Sequence, residues 1–207
     1  MILTPIAPQA LDLVLAAFER TLSGAPLEIS VFRRIAASRA AEGGPVAVWH
    51  ADAVALADRF AMRPLPEAPQ QAFSWDGARV RTDSEPAVLV HEVAHYQIAA
   101  PSRRFLPDFG LGAGPETGLV EIADAARAAD AATRETEEAM ASLLGILWEV
   151  ELGQPAILAF QEQNWLEGAG RPGTAAFFRA TLGRLADAGL IDGDGRPTYA
   201  VRIAPEL

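Results

Sequence analysis

The sequence predicts a mainly helical α+β fold: a single domain over residues 1–207, with a few short strands and a zincin-like metal-binding helix. Three observations predict it. Apolar residues recur at helical spacing, as in Leu11, Val14, Leu15 and Phe18. Alternating apolar stretches are few and short. The segment AVLVHEVAHYQIAA is apolar almost all round, the mark of a buried helix, yet it carries two histidines and a glutamate.

The elements follow in order. Residues 9–22 are predicted as the first helix, ended by Gly24 and Pro26. LEISVF, residues 27–32, and PVAVW, residues 45–49, alternate well enough to predict two strands. ADAVALADRFAM returns to a helical pattern. RPLPEAP is expected as a loop because of its prolines. FSWDGARVRT reads as a hairpin turning at Asp76–Gly77. A helix capped by Asp83 or Ser84 is expected to run to about Ala99 and stop before Pro101. RRFLPDFGLGAGPETG is a loop, and a long helical region is expected over about 118–152. A last helix covers about 173–189, with Phe177, Phe178, Leu182 and Leu185 as its buried stripe. IDGDGRPTYAVRI closes the chain as a turn and a short strand.

Composition narrows the function. The chain has 207 residues, half of them hydrophobic, enough for one core. It has no cysteine, which excludes disulfides, zinc ribbons, iron–sulfur clusters and thiol catalysis. The net charge of −10 argues against nonspecific nucleic-acid binding. The N-terminal stretch has no basic leader and is broken by Pro5 and Pro8, so no signal peptide and no membrane span are expected, and the expected location is cytoplasmic. DGDG, residues 192–195, lacks the remaining ligands of a calcium loop. GLGAGPETG does not follow a strand and fails as a dinucleotide fingerprint.

The chemistry concentrates in HEVAHY, residues 91–96, which holds two of the three histidines. Side chains at i and i+4 share a helix face, so His91 and His95 can offer two imidazoles to one metal. Glu92 lies close enough to touch a metal-bound water. A third ligand is needed, with a position left open. His50 is remote in sequence, so a carboxylate is expected. In ETEEAMASLLG, Glu138 shares its helix face with Ala141, Ser142 and Gly145, small residues that would let this helix approach the histidines. Glu135 lies on the same side and could orient a ligand from behind, whereas Glu137 is turned about 100° away. Two histidines and a carboxylate serve zinc hydrolysis, with Glu92 as base, or oxygen activation by ferrous iron. Spacing alone does not choose between them, although HExxH by itself leans to a peptidase. The polarising group that a peptidase needs is poorly supplied, because Tyr96 and Tyr199 are the only tyrosines and His50 the only spare histidine.

HEVAHYQIAAPSRRFLPDFG resembles the metal-site segment of the bacterial elongation factor P hydroxylases. The shared features are the histidine pair, an aromatic residue at Tyr96, Ile98–Ala99, Arg103–Arg104 and Asp108–Phe109–Gly110. They continue through Glu135 and Glu138 to Gly153–Gln154–Pro155, so that residues 88–155 carry the resemblance. The first 80 residues do not match, and the family's histidine before the metal helix is replaced by Thr82–Asp83–Ser84. The resemblance implies a divalent metal, Fe(II) ahead of Zn(II), held by His91, His95 and Glu138. It also implies molecular oxygen as co-substrate and a modified lysine of elongation factor P as the protein substrate. Glu92 would then handle protons or support a ligand. Asp108 would hydrogen-bond a ligand or anchor its loop. Arg103 and Arg104 would contact the protein substrate, or else form salt bridges to the acidic helix. A zinc metallopeptidase and a non-catalytic metal-bound scaffold are the alternatives.

Overall fold

The computed structural model describes residues 6–204; the first residues of the stretch read for a leader lie outside them. The chain groups into two compact units, each made of two separate stretches: Met1–Gly44 with Ile146–Thr198, and Pro45–Gly145 with Tyr199–Leu207.

The first unit is helical. It contains α1 (Leu11–Thr21), α2 (Pro26–Ala37), α7 (Ala156–Glu162) and α8 (Pro172–Asp187), together with the end of α6 (Ala131–Glu151). LEISVF therefore lies in a helix and not in a strand. Pro26 opens α2 at its first turn, where its missing N–H costs nothing. The buried positions Val31, Phe32 and Ile35 follow helical spacing. Phe18, Phe32, Phe160, Phe178 and Trp165 form the ring-rich core, with Phe18 and Phe32 at 4.9 Å. Phe177, expected inside, is 47% exposed and stacks on Trp165. α7 has no counterpart in the sequence reading. The DGDG segment is a turn in which Asp192 accepts from the Asp194 and Arg196 N–H groups.

The second unit holds α3 (Val46–Arg59), β1 (Arg63–Leu65), β2 (Arg79–Arg81), α4 (Pro86–Ile98), α5 (Val120–Ala125) and the first fifteen residues of α6. PVAVW also proves helical, because it leads into α3, which buries Ala53, Leu56 and Ala57. The proline-rich RPL is strand β1. It pairs in parallel with β2, Pro64 opposite Val80. The expected hairpin turn is present: Asp76 Oδ1 accepts from the Ala78 and Arg79 N–H groups, and Trp75 bridges Val80 in antiparallel fashion. Gly77 is needed there. Its φ is +93°, and a Cβ would meet the Phe105 carbonyl oxygen at 2.3 Å.

α4 begins at Pro86 with Glu85 at its N-cap, and neither Asp83 nor Ser84 caps it. It is buried along most of its length, through Leu89, Val90, Val93, Ala94, Gln97 and Ile98. The helical region expected over 118–152 is interrupted. Gly110 O takes the Ala128 and Ala129 N–H groups, and Asp130 starts α6 by accepting the Thr133 N–H at 2.7 Å. No helix among the described residues is long and apolar enough to cross a membrane.

Candidate metal centre

α4 and α6 position the cluster. Gly145 of α6 lies against α4 so closely that a Cβ there would sit 3.4 Å from His91 Cα. This close approach brings Glu138, two turns earlier on α6, to the histidines. Glu138 Oε2 is 3.5 Å from His95 Nε2 and 3.9 Å from His91 Nε2. The imidazole centroids are 4.6 Å apart, with planes at 84°. Among the described residues this is the one group of three such side chains whose ligand atoms all lie within 4.8 Å of one another.

The donor set fits a metal ion. Ligands at about 2.1 Å lie about 3.4 Å apart in a tetrahedral shell and about 3.0 Å apart at neighbouring octahedral positions, so the separations of 3.5 and 3.9 Å from Glu138 to the imidazoles need only a small contraction to close on an ion. His91 Nδ1 is buried without a hydrogen-bond partner. His95 is buried, whereas 23% of the His91 side chain and 42% of the Glu138 side chain are exposed, so one side of the cluster faces solvent.

Electrostatics couple the three groups. Burial lowers the affinity of His91 for a proton, and the charge of His95 adds to this, against the pull of Glu138. At His95 burial also opposes the charge, but Glu138 outweighs it and the pKa rises. Burial works against the Glu138 carboxylate too, yet the two imidazoles hold it far below the usual range.

Glu92 is half-buried beside the cluster. Burial raises its carboxyl pKa to about 8, and the nearby charges of Asp108 and Glu138 act in the same direction. Its side chain hydrogen-bonds Ser74. Asp108 is buried and binds the same segment. It accepts the Trp75 N–H at 3.3 Å and the Thr117 hydroxyl, while its own N–H goes to Trp75 O at 2.9 Å. Burial raises the Asp108 pKa against these hydrogen bonds. Asp108 thus anchors its loop, and no hydrogen bond to a histidine is among its contacts.

The Asp108–Phe109 pair is strained, with φ of 43° and 56° in the left-handed region. The turn presents the Phe109 ring to His95, stacked at 5.7 Å and 22°.

The remaining expected residues sit elsewhere. Arg103 is 2% exposed, donates to Phe109 O at 2.8 Å and pairs with Glu137 at 2.5 Å, so it has no face to offer a protein substrate. Arg104 is half-buried and donates to the Tyr96 and Arg202 carbonyls. Glu135 is exposed and forms neither a hydrogen bond nor an ion pair, so it orients nothing. His50 is bound through Nε2 to Thr82 O.

Glu137, set aside in the sequence reading, takes Arg103 and Arg202 on one oxygen, the latter at 2.9 Å. Arg202 also reaches the carbonyl end of α4: its N–H donates to Gln97 O, and its guanidinium to Ile98 O at 3.5 Å. With Arg104 on Tyr96 O, these cations satisfy carbonyls that a helix end leaves open. A sequence signal for Glu137 exists. It lies at helical spacing with Ala141, Leu144 and Trp148, all buried. Ser74, Thr117 and Arg202 carry no such signal.

No family model matches the chain, and no curated protein or solved structure does. The likeness of residues 88–155 to the hydroxylases therefore rests on the quoted residues alone.

Proposed function

We propose that this protein is a metal-dependent oxygenase of the His–His–carboxylate type, holding ferrous iron at His91, His95 and Glu138. By the resemblance of its metal segment, it hydroxylates a modified lysine of elongation factor P. The observation that carries the reading is the convergence of three metal donors with one side open to solvent. A peptidase usually adds a His, Tyr or Arg near the developing oxyanion. Here Arg103 is committed to Glu137 and His50 to Thr82.

The iron, when bound, supplies dioxygen activation. The chain supplies the rest. Two neutral imidazoles and one carboxylate set a fixed face, and Phe109 holds the His95 ring plane. Glu92 and Ser74 form a hydrogen-bonded pair beside the donors, placed to take or give a proton. The half-exposed side of Glu138 admits the substrate.

Metal analysis of protein purified without oxygen tests the reading, together with mass spectrometry of the cognate elongation factor. Stoichiometric iron and a gain of one oxygen, about 16 Da, dependent on this protein, are expected. Tight zinc, with peptide cleavage abolished by Glu92→Gln, would establish the peptidase instead. Metal of either kind with neither activity would leave a scaffold.

A further inference from the structure

A continuous string of rings runs from His95 to the surface of its unit. Phe109 stacks on His95, and Trp75 stacks on Phe109 at 5.6 Å and 4°. Tyr96 meets the edge of Trp75 at 5.7 Å. Phe60 lies 6.4 Å from Tyr96, and Tyr199 lies 5.9 Å from Phe60. Tyr199 is 52% exposed. Both of the chain's two tyrosines lie on this string.

We propose that Trp75, Tyr96 and Tyr199 form an electron path between the His91/His95/Glu138 centre and the surface, protecting the centre when oxygen is activated without substrate. The proposal rests on the oxygenase reading. Indole and phenol give up one electron readily and the phenyl ring does not, so Phe109 and Phe60 are spacers and the other three rings are stations.

The electrons and protons balance. Iron(II) held by His91, His95 and Glu138 would, with dioxygen as the oxidant, supply an electron vacancy at the centre, and the Trp75 indole would fill it with one electron across Phe109. The Trp75 N–H donates to the Arg104 carbonyl at 2.7 Å, an acceptor too weak to remove the proton, so the oxidised indole stays a cation. Tyr96 refills it, losing one electron and its phenolic proton to water. Tyr199 then reduces Tyr96 across Phe60, and Tyr96 regains a proton. The Tyr199 proton passes to solvent, and a thiol or ascorbate in solution reduces the Tyr199 radical.

Two cations set the form in which the phenols are oxidised. The Arg104 guanidinium lies 5.5 Å from the Tyr96 ring and that of Arg59 lies 4.0 Å from the Tyr199 ring. A cation over a ring disfavours positive charge on it, so each phenol must release its proton with its electron.

The test exposes the full chain, loaded with iron(II), to dioxygen in the absence of protein substrate. Added oxygen is mapped by peptide mass spectrometry, and radicals are trapped by freezing for electron paramagnetic resonance. The parent is expected to show a tyrosyl signal and oxidation at Tyr199, with His91 and His95 intact. Tyr96→Phe keeps the ring and its packing but cannot be oxidised, and oxidation at His91, His95 and Trp75 should rise at least threefold. Tyr199→Phe should remove the terminal tyrosyl signal. Equal oxidation of the histidines in the parent and in Tyr96→Phe would overturn the path while leaving the oxygenase reading intact. No iron-dependent oxidation in any variant would overturn the path, and the oxygen gain on the elongation factor decides the oxygenase reading separately.

Discussion

Phe18 and Arg103 are both buried, one in each unit, and they are held by different forces. Phe18 meets Phe32, Phe160 and Phe178 at ring distances of 4.9 to 5.9 Å. Such contacts need no partner of opposite charge, and aromatic burial is favourable in itself. Arg103 must have Glu137, and Glu137 must also hold Arg202. Removing charges from water costs several kcal/mol per ion, and a well-packed apolar trio would often be as stable. The ring-filled unit shows that this chain can build an interior without ions. Charge in the other interior is therefore better explained by the site it surrounds. Glu137 holds Arg103 on the Phe109 carbonyl and Arg202 at the end of α4, the two structures that present His95.

The largest effects should come from breaking each interior in its own way. Glu137→Ala leaves two buried guanidinium groups without a counter-charge and should cost about 3–5 kcal/mol. Phe178→Ala in the other unit should cost a similar amount, about 3–5 kcal/mol, through its cavity. The two separate in metal affinity, measured by titration. Glu137→Ala should weaken binding, whereas Phe178→Ala should leave it unchanged wherever the chain remains folded. Equal affinities would deny the ion cluster its role in positioning the site.

Metal itself sharpens the contrast. An ion that binds only the folded form stabilises it by about 2.7 kcal/mol at a hundredfold excess over its Kd. Chemical denaturation with and without iron(II) or zinc(II) should show this gain in the parent. His91→Ala and Glu138→Ala should abolish it. A full gain in Glu138→Ala would remove Glu138 from the ligand set.

The legibility of these residues follows from the range over which each is determined. His91 and His95 are legible because one helical turn relates them and histidine is scarce in this chain. Glu138 is legible because its face carries Ala141, Ser142 and Gly145, and Gly145 does lie against His91. Glu137 is not, since its reason for burial comes from Arg103 and Arg202, 34 and 65 residues away. The mistaken strands have a local cause. Leu27, Ile29 and Val31 alternate over a stretch too short to exclude a helix, and only Ile35, one turn later, restores the helical spacing. The break before α6 was hidden because alanine-rich sequence favours helix, while the Gly110 carbonyl that interrupts it lies in a distant loop.

Glu149 is the exception in the ring-filled unit and gives a pH-dependent effect. It is 3% exposed, and burial, with a contribution from Glu162, raises its pKa from 4.5 to about 8. Between those values the folded chain keeps a proton that the unfolded chain loses. The folded state binds more protons, so stability falls as pH rises from 4.5 and levels off above about 8. The slope from this group is at most about 1.4 kcal/mol per pH unit. Glu149→Gln should reduce the slope, read as denaturation midpoints at about pH 5, 6, 7 and 8, and leave the share of Glu92, whose pKa is also raised to about 8. An unchanged slope would mean that Glu149 is ionised in the folded chain.

The smallest effect belongs to Glu135. Three glutamates within four positions of α6 have three different settings. Glu138 faces two imidazoles, Glu137 is closed between two guanidinium groups, and Glu135 stands in solvent with no partner. An exposed side chain with no contact contributes within about 0.5 kcal/mol in either direction. Glu135→Ala should therefore leave both the unfolding free energy and the metal affinity within that margin, although it lies one turn from a proposed ligand. A tenfold loss of metal affinity in Glu135→Ala would correspond to about 1.4 kcal/mol, more than an uncontacted carboxylate can supply. It would require the first turns of α6 to move when metal binds, bringing Glu135 to the site as a direct or supporting ligand.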